Sequence, residues 1–243
     1  MMNDWQEKHH EIIDNFLKSL NTETNQFILK GGTALLTCYG LDRFSEDIDL
    51  DARSNHNILS MIHRFSIHQN FNYRVGKDTD TVKRVFLDYG NPNHKLKIET
   101  SYRQKNIIED SDVVNINGIT VYSIDSLFQQ KCDAYLGRER IRDLYDVCFI
   151  FENYSPQLSK SSIKQLQRAF TYKGIDEVDA LVSEQKDVLI DGDELAYKFL
   201  SISEAIGLEL GEASMHQQDR LKEAYQELLS QESIAYSNDE WER

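Results

Sequence analysis

The sequence predicts an α/β protein of the α+β kind, in which a mixed sheet flanked by helices is followed by a helical C-terminal region. Apolar residues follow helical spacing near the start of the chain and again from Ser123 onward. Between Phe71 and Tyr122 the pattern instead alternates with a period of two, which is typical of strands. We therefore expect one α/β domain over residues 1–122 and one helical domain over residues 123–243.

The individual elements follow from apolar spacing and from turn residues. Helices and strands alternate in the first part of the chain, where we predict helices over 5–20, 33–40 and 58–67 and strands over 27–29, 47–51, 71–76, 82–89, 94–101 and 113–122. Ser54 or Asn55 is the expected cap of the third helix. The helices predicted for the rest of the chain cover 124–136, 139–152, 160–170, 175–185, 191–207 and 214–231.

Acidic residues recur at every second position in the second predicted strand, at Asp47, Asp49 and Asp51. Alternation in a strand places all three carboxylates on one face. Such carboxylates can converge on one divalent cation, or on two that lie about 3.5–4 Å apart. The alternative is an amphipathic strand whose acidic face is simply solvated.

A glycine pair, Gly31 and Gly32, lies between the first strand and the following helix. Backbone N–H groups in such a turn can approach a phosphate, and a helix N-terminus favours the negative charge. Thr33 could cap that helix or donate its hydroxyl to a phosphate oxygen. A phosphate cradle followed by paired carboxylates is what transfer of a nucleotidyl group from Mg-NTP requires.

The motifs KGGTAL, RFSEDIDLD and GRERIRDLYDVCFI resemble those of the nucleotidyltransferase superfamily, and in particular of the AbiEii/AbiGii toxin family. The resemblance covers roughly residues 25–152. It implies a nucleotidyltransferase-like sheet and Mg²⁺-dependent transfer of an NMP from an NTP to an acceptor hydroxyl. It further implies an RNA acceptor, with a tRNA 3′ end as the candidate, and a toxin role in a toxin–antitoxin or abortive-infection system, with a cognate antitoxin as partner.

The same resemblance places a third acid on a later strand, and Glu99 in KLKIETS is the candidate. One or two Mg²⁺ ions would then be held by Asp47, Asp49 and Glu99. Lys97 shares a face with Glu99 and could tune that acid or meet a triphosphate. A salt-bridged surface strand is the alternative.

Arg43 and Ser45 precede the acidic strand as R-x-S does in the family, so they are candidates for contact with triphosphate or base. Arg43 could instead pair with Asp42 or Glu46. Together with these two residues, the predicted nucleotide-binding set contains Gly31, Gly32, Thr33, Lys97, Arg142 and Asp143.

In the family, a Lys and an Asp of the later helical region complete the nucleotide site. The resemblance therefore implies that the C-terminal domain contributes Lys131 and either Asp146 or Asp143, with the choice between the aspartates left open. On spacing alone, Asp143 and Asp146 would belong to an ordinary solvated helix face, which is the alternative.

The net charge of −14 argues against broad nonspecific binding to nucleic acid. RNA would have to bind through a local basic patch, and Lys and Arg are denser between Arg74 and Arg142 than near the C-terminus. No apolar run is long enough for a membrane span, and the N-terminus does not resemble a signal peptide. Three scattered cysteines fit reduced thiols in a cytoplasmic protein, and none of the seven histidines is given a role.

Two other classes of function remain open. A metal-dependent nuclease also uses clustered acids, but its common arrangement places a lysine after an acid on a strand, whereas here Lys97 precedes Glu99. A non-catalytic nucleotide-binding module would keep the fold and lose turnover.

Overall fold

The computed structural model describes residues 3–208 of the chain, which divides into two compact units, Met1–Leu127 and a second that begins at Phe128. The first contains α1 (Asp4–Glu23), β1 (Phe27–Lys30), α2 (Gly31–Tyr39), β2 (Ile48–Ala52), α3 (Ile58–Gln69), β3 (Asn72–Asp78), β4 (Val82–Asp88), β5 (Leu96–Ser101), β6 (Val113–Ile116) and β7 (Ile119–Tyr122). The helix α4 (Ile124–Gly137) starts in this unit.

The seven strands form one mixed sheet in the order β3-β4-β5-β2-β1-β7-β6. β1 pairs with β7, and β2 with β5, in parallel, while the other neighbours are antiparallel. The predicted mixed α/β fold is thereby confirmed. Polar and apolar residues alternate along β2 and β5, so one face of the sheet is apolar. The core on this face contains buried residues of the strands (Leu29, Leu50 and Ile98), of α1 (Ile13 and Leu17) and of α3 (Ile62).

Two local expectations in this unit are wrong. The cap of α3 is Asn57, whose side chain accepts a hydrogen bond from the Leu59 amide at 3.0 Å, so neither Ser54 nor Asn55 caps this helix. The single strand predicted over 113–122 is a hairpin of β6 and β7. Asn117 and Gly118 both have positive φ, as a tight Asn-Gly hairpin turn requires.

The second unit is helical as predicted, with the second half of α4 followed by α5 (Ile141–Tyr154), α6 (Lys160–Tyr172), α7 (Ile175–Glu184) and α8 (Gly192–Ala205). Its core contains Leu144, Leu166, Val178 and the neighbouring rings of Phe170 and Phe199. The helix predicted over 214–231 lies outside the described residues. Within residues 3–208, no helix combines the length and the apolar character needed to cross a membrane.

Candidate active site

The predicted carboxylates lie on adjacent parallel strands. Asp49 of β2 is the register partner of Glu99 of β5, so their side chains leave the sheet on the same face. Asp47 lies one residue before β2, outside the paired register. The register therefore places Asp49 and Glu99 on one face, and Asp47 lies on the same side through its contact with Lys97, which shares the face of Glu99 on β5.

Cationic side chains accompany these carboxylates. Lys97 donates to Asp47, and Arg84 of β4 donates to Glu99 at 2.5 Å. Burial raises the pKa of Asp49, and the field of Asp47 adds to burial while Lys97 opposes it. Burial lowers the pKa of Lys97, but its hydrogen bond to Asp47 and the fields of Asp47 and Asp49 outweigh that effect, so the net pKa is raised. This face of the sheet thus has both the carboxylates expected of a metal site and the salt bridges expected of an ordinary surface strand.

Asp51 has a different environment from the other two aspartates of its strand. Its side chain is 5% exposed, accepts from Lys30 Nζ at 2.7 Å and accepts from the Tyr122 hydroxyl at 3.0 Å. Burial, followed by the charge of Asp51, raises the pKa of Tyr122. The alternative of a solvated acidic face is therefore wrong for Asp51, which is a buried structural anion.

The glycine pair forms the first turn of α2, directly against Asp49. Gly31 has φ +75°, and a Cβ built there would lie 3.3 Å from Asp49 Oδ2. A Cβ at Gly32 would lie only 2.8 Å from Ser45 Oγ. Gly31 is therefore favoured for its backbone conformation, and any Cβ at Gly32 would force the Ser45 side chain to shift.

Thr33 does not cap α2, as its cap is Lys30 in extended conformation without a side-chain hydrogen bond. Thr33 is 1% exposed, and its hydroxyl contacts the Asp47 carbonyl oxygen and, at 3.0 Å, Ser45 Oγ. Arg43 is 5% exposed, and its Nη1 donates to the Phe44 carbonyl at 3.3 Å. These contacts support the backbone that leads into β2; the phosphate contacts expected of Thr33, Arg43 and Ser45 stay predictions.

His9 is a residue of this region to which the sequence assigned no role. It is 1% exposed, with Nε2 2.8 Å from the Glu46 carbonyl oxygen and Nδ1 2.6 Å from the Tyr89 hydroxyl. Burial lowers its pKa. The sequence did indicate that His9 is buried. It lies three and four residues before Ile12 and Ile13 and so extends the apolar stripe of α1.

The second unit brings together three more of the predicted residues. Lys131 Nζ on α4 lies 2.5 Å from Asp146 Oδ2 and 3.6 Å from Asp143 Oδ1, both on α5. Arg138 donates to both oxygens of Asp143, at 2.6 and 2.9 Å. Asp146 has no exposed surface and Asp143 is 2% exposed, so the alternative of a solvated helix face is wrong for both.

Asp143 is stabilised in its charged form. Burial acts to raise its pKa, but the hydrogen bonds from Arg138 and the charge of Lys131 outweigh burial, so the net pKa is lowered.

Arg142, also predicted to bind nucleotide, instead donates to Asp187 at 2.6 Å. Asp187 lies outside the ion-pair group that Lys131 forms with Asp143 and Asp146.

The donor set of the first unit suits a hard divalent cation. Three carboxylates provide the oxygen ligands that Mg²⁺ prefers, and a bound cation would relieve the penalty that raises the pKa of Asp49. Among residues 3–208, no three acidic, His or Cys side chains are already grouped as a metal site. To bind a divalent cation, the side chains of Asp47 and Glu99 would have to turn away from Lys97 and Arg84.

A glycine turn at a helix start, set against register-paired carboxylates in a mixed sheet, is the arrangement that the resemblance to nucleotidyltransferases predicts. The family model "Nucleotidyl transferase AbiEii toxin, Type IV TA system" matches residues 15–231, most of the chain. The protein therefore belongs to the AbiEii nucleotidyltransferase toxin family, and its enzyme class is that of a nucleotidyltransferase. The resemblance of the motifs is confirmed, and the match extends well beyond residue 152, where the recognisable motifs end.

Two solved structures share this fold over nearly their whole length. JHP933 from Helicobacter pylori is 25% identical with a TM-score of 0.71, covering 96% of this chain and 100% of that one. A protein from H. pylori assigned provisionally as a nucleotidyltransferase is also 25% identical, with a TM-score of 0.70, covering 92% and 99%. No protein with curated annotation matches the chain.

Proposed function

We propose that this protein transfers an NMP from Mg²⁺-NTP to a hydroxyl group of RNA, with a tRNA 3′ end as the candidate acceptor, and that this modification is its toxic activity. The observation that carries the proposal is the register of Asp49 with Glu99, directly beside the Gly31–Gly32 turn. Family membership supports both the transfer reaction and the toxin role.

Asp47, Asp49 and Glu99 are the residues that would hold Mg²⁺. When bound, the ion neutralises phosphate charge and lowers the pKa of the attacking hydroxyl. The raised pKa of Asp49 means that its ionised form is poorly stabilised without a cation. Lys97, whose pKa is raised and which is already charged, is positioned to neutralise triphosphate oxygens on the same face.

The β- and γ-phosphates would lie at the start of α2. Gly31 and Gly32 present backbone amides without Cβ atoms, and the helix N-terminus favours an anion. Arg43 and Ser45 approach Gly32 closely, since a Cβ there would lie 3.1 Å from Arg43 Nη2. These side chains are therefore close enough to the turn to contribute to the binding of a triphosphate.

The proposed partners are supported by the charge of the chain and by its family. A chain of net charge −14 needs a local basic patch for RNA, and the acidic balance equally suits a basic partner surface. Because the family is that of type IV toxin–antitoxin systems, we propose that a cognate antitoxin restrains this enzyme.

The test incubates purified protein and Mg²⁺ with each α-labelled NTP and total RNA or protein. Label on one size class of RNA, with release of pyrophosphate, supports the proposal and identifies donor and acceptor. Asp49→Asn serves as the matched inactive variant. Shortened RNA without consumption of NTP would indicate a nuclease, and toxicity that persists in Asp47→Ala and Asp49→Ala would indicate a non-catalytic module.

The catalytic roles of Lys131 and Asp146, and nucleotide binding by Arg142 and Asp143, stay predictions. Lys131→Met in the same labelling assay tests the first, provided that its folding is measured in parallel.

A further inference from the structure

Three proposed site residues lie on a segment without regular structure. Residues 41–47, here called the entry segment, contain Arg43, Ser45 and Asp47 and form neither helix nor strand. The β2 ladder begins only at Ile48, so backbone pairing with β5 does not fix Asp47. Other contacts must therefore determine where its carboxylate lies.

Two side chains bind consecutive carbonyl groups of this segment. The Glu46 carbonyl oxygen lies 2.8 Å from His9 Nε2, and the Asp47 carbonyl oxygen accepts from the Thr33 hydroxyl. Both side chains are 1% exposed, so water does not compete for these bonds. The peptide units on either side of the Asp47 Cα are thus held from α1 and from α2.

The ring of His9 is itself fixed in orientation. A carbonyl oxygen only accepts, so Nε2 carries the proton, and Nδ1 of the neutral ring accepts from the Tyr89 hydroxyl at 2.6 Å. The rings of Trp5, Phe44 and Tyr89 surround the imidazole at centroid distances of 5.9, 5.9 and 5.3 Å. This packing leaves the ring little freedom to turn away from Glu46.

We infer that His9 is a positioning residue of the enzyme, which fixes Asp47 through the Glu46 carbonyl in concert with Thr33. It does not touch substrate; it acts through the backbone. This inference rests on the proposed function, because Asp47 matters to catalysis only if it binds the cation of the NTP. Misplacement of a reacting group by about 1 Å can slow a reaction on the order of 100-fold.

The experiment compares His9→Leu, which removes the donor, with His9→Gln, whose amide can donate to Glu46 and accept from Tyr89. Leu17→Ala is the control, since Leu17 is fully buried on the same helix but about 12 Å further along. Three quantities are measured on each folded protein: kcat and KM for NMP transfer, Mn²⁺ affinity by electron paramagnetic resonance, and amide exchange of residues 44–47.

For His9→Leu we expect kcat to fall about 10- to 100-fold with a smaller change in KM, weaker Mn²⁺ binding and faster exchange of residues 44–47. His9→Gln should restore most of the loss, and Leu17→Ala should destabilise the fold while keeping kcat and local exchange. Any of three results would overturn the inference. His9→Leu could keep the wild-type kcat and amide exchange, Leu17→Ala could lose as much as His9→Leu, or His9→Gln could fail to restore the loss. If the wild-type protein transfers no NMP, the proposed function fails, while exchange and Mn²⁺ binding still test the role of His9.

Discussion

Asp49 and Asp51 are two residues apart on one strand face, yet the structure predicts opposite effects when each is changed to Asn. Asp51 is a buried anion with two partners, Lys30 Nζ at 2.7 Å and the Tyr122 hydroxyl at 3.0 Å. Asp49 has a pKa raised chiefly by burial, so its charge is poorly stabilised in the folded state. The Asp51 carboxylate should therefore stabilise the fold, and the Asp49 carboxylate should serve activity.

The size of the effect follows from these contacts. A hydrogen bond to a charged group contributes about 1.5–3 kcal/mol. Asn keeps the shape of Asp51 but loses its charge, and Lys30, with 28% of its side chain exposed, can still be hydrated. We therefore expect Asp51→Asn to lower the free energy of unfolding by about 2 kcal/mol, or about 4–8 °C in the midpoint of thermal unfolding.

Asp49→Asn should leave the free energy of unfolding unchanged or higher at neutral pH, while NMP transfer is lost. A carboxyl whose folded pKa lies above its ordinary value of 3.8 makes the folded state bind more protons in the window between the two. The wild-type protein therefore gains stability as pH falls through the folded pKa of Asp49. Any advantage of Asp49→Asn should shrink over the same window.

The assay combines chemical denaturation between neutral and acidic pH with NMP transfer under conditions where each protein is folded. Asp51→Asn should transfer NMP at nearly the wild-type rate once its folded fraction is taken into account. Equal destabilisation by both substitutions would refute the assignment of burial as the main influence on Asp49. A folded but inactive Asp51→Asn protein would refute the structural role of Asp51.

Three further predictions concern the turn and the second unit. Gly32→Ala places a Cβ 2.8 Å from Ser45 Oγ, so we expect weaker binding of NTP, visible as a raised KM, with little loss of stability because a side chain rather than backbone must shift. Lys131→Met removes the cation from the fully buried carboxylate of Asp146 and should lower the free energy of unfolding by about 3–5 kcal/mol in denaturant titrations. The pKa of Asp143 is lowered, so its contribution to stability is present above its ordinary pKa and is lost as pH falls through the folded value. Asp143→Asn should therefore lower the free energy of unfolding at pH 7 and leave it nearly unchanged in strong acid. Unfolding curves at the two pH values test this.

Much of the fold could be predicted because the patterns are local. Alternation in β2 and β5 and helical spacing in α1 follow from which residues face water, and each shows within a few turns or a few strand residues. Residues 113–122 were predicted as one strand segment, although Gly118 was recognised as a turn residue; the Asn117–Gly118 turn signal is local, so the sequence could have shown the hairpin.

The environments of the charged residues could not be predicted in the same way. Asp47, Asp49 and Asp51 have the same spacing and the same face, but one pairs with Lys97, one is desolvated and one is a buried structural anion. His9 belongs to the apolar stripe of α1, and only the structure shows which carbonyl its ring binds.

The sequence by itself determined the mixed α/β fold, the helical character of the later chain, and the glycine turn and acidic strand whose motifs resemble those of nucleotidyltransferases. Those features depend on steric and hydrophobic preferences that act between residues close together in the chain. Only the tertiary structure decided which cation meets each carboxylate, which carboxylates are buried and which side chain contacts the Glu46 carbonyl. Such properties depend on side chains far apart in sequence, whose distance and solvent exposure are set when the strands and helices pack.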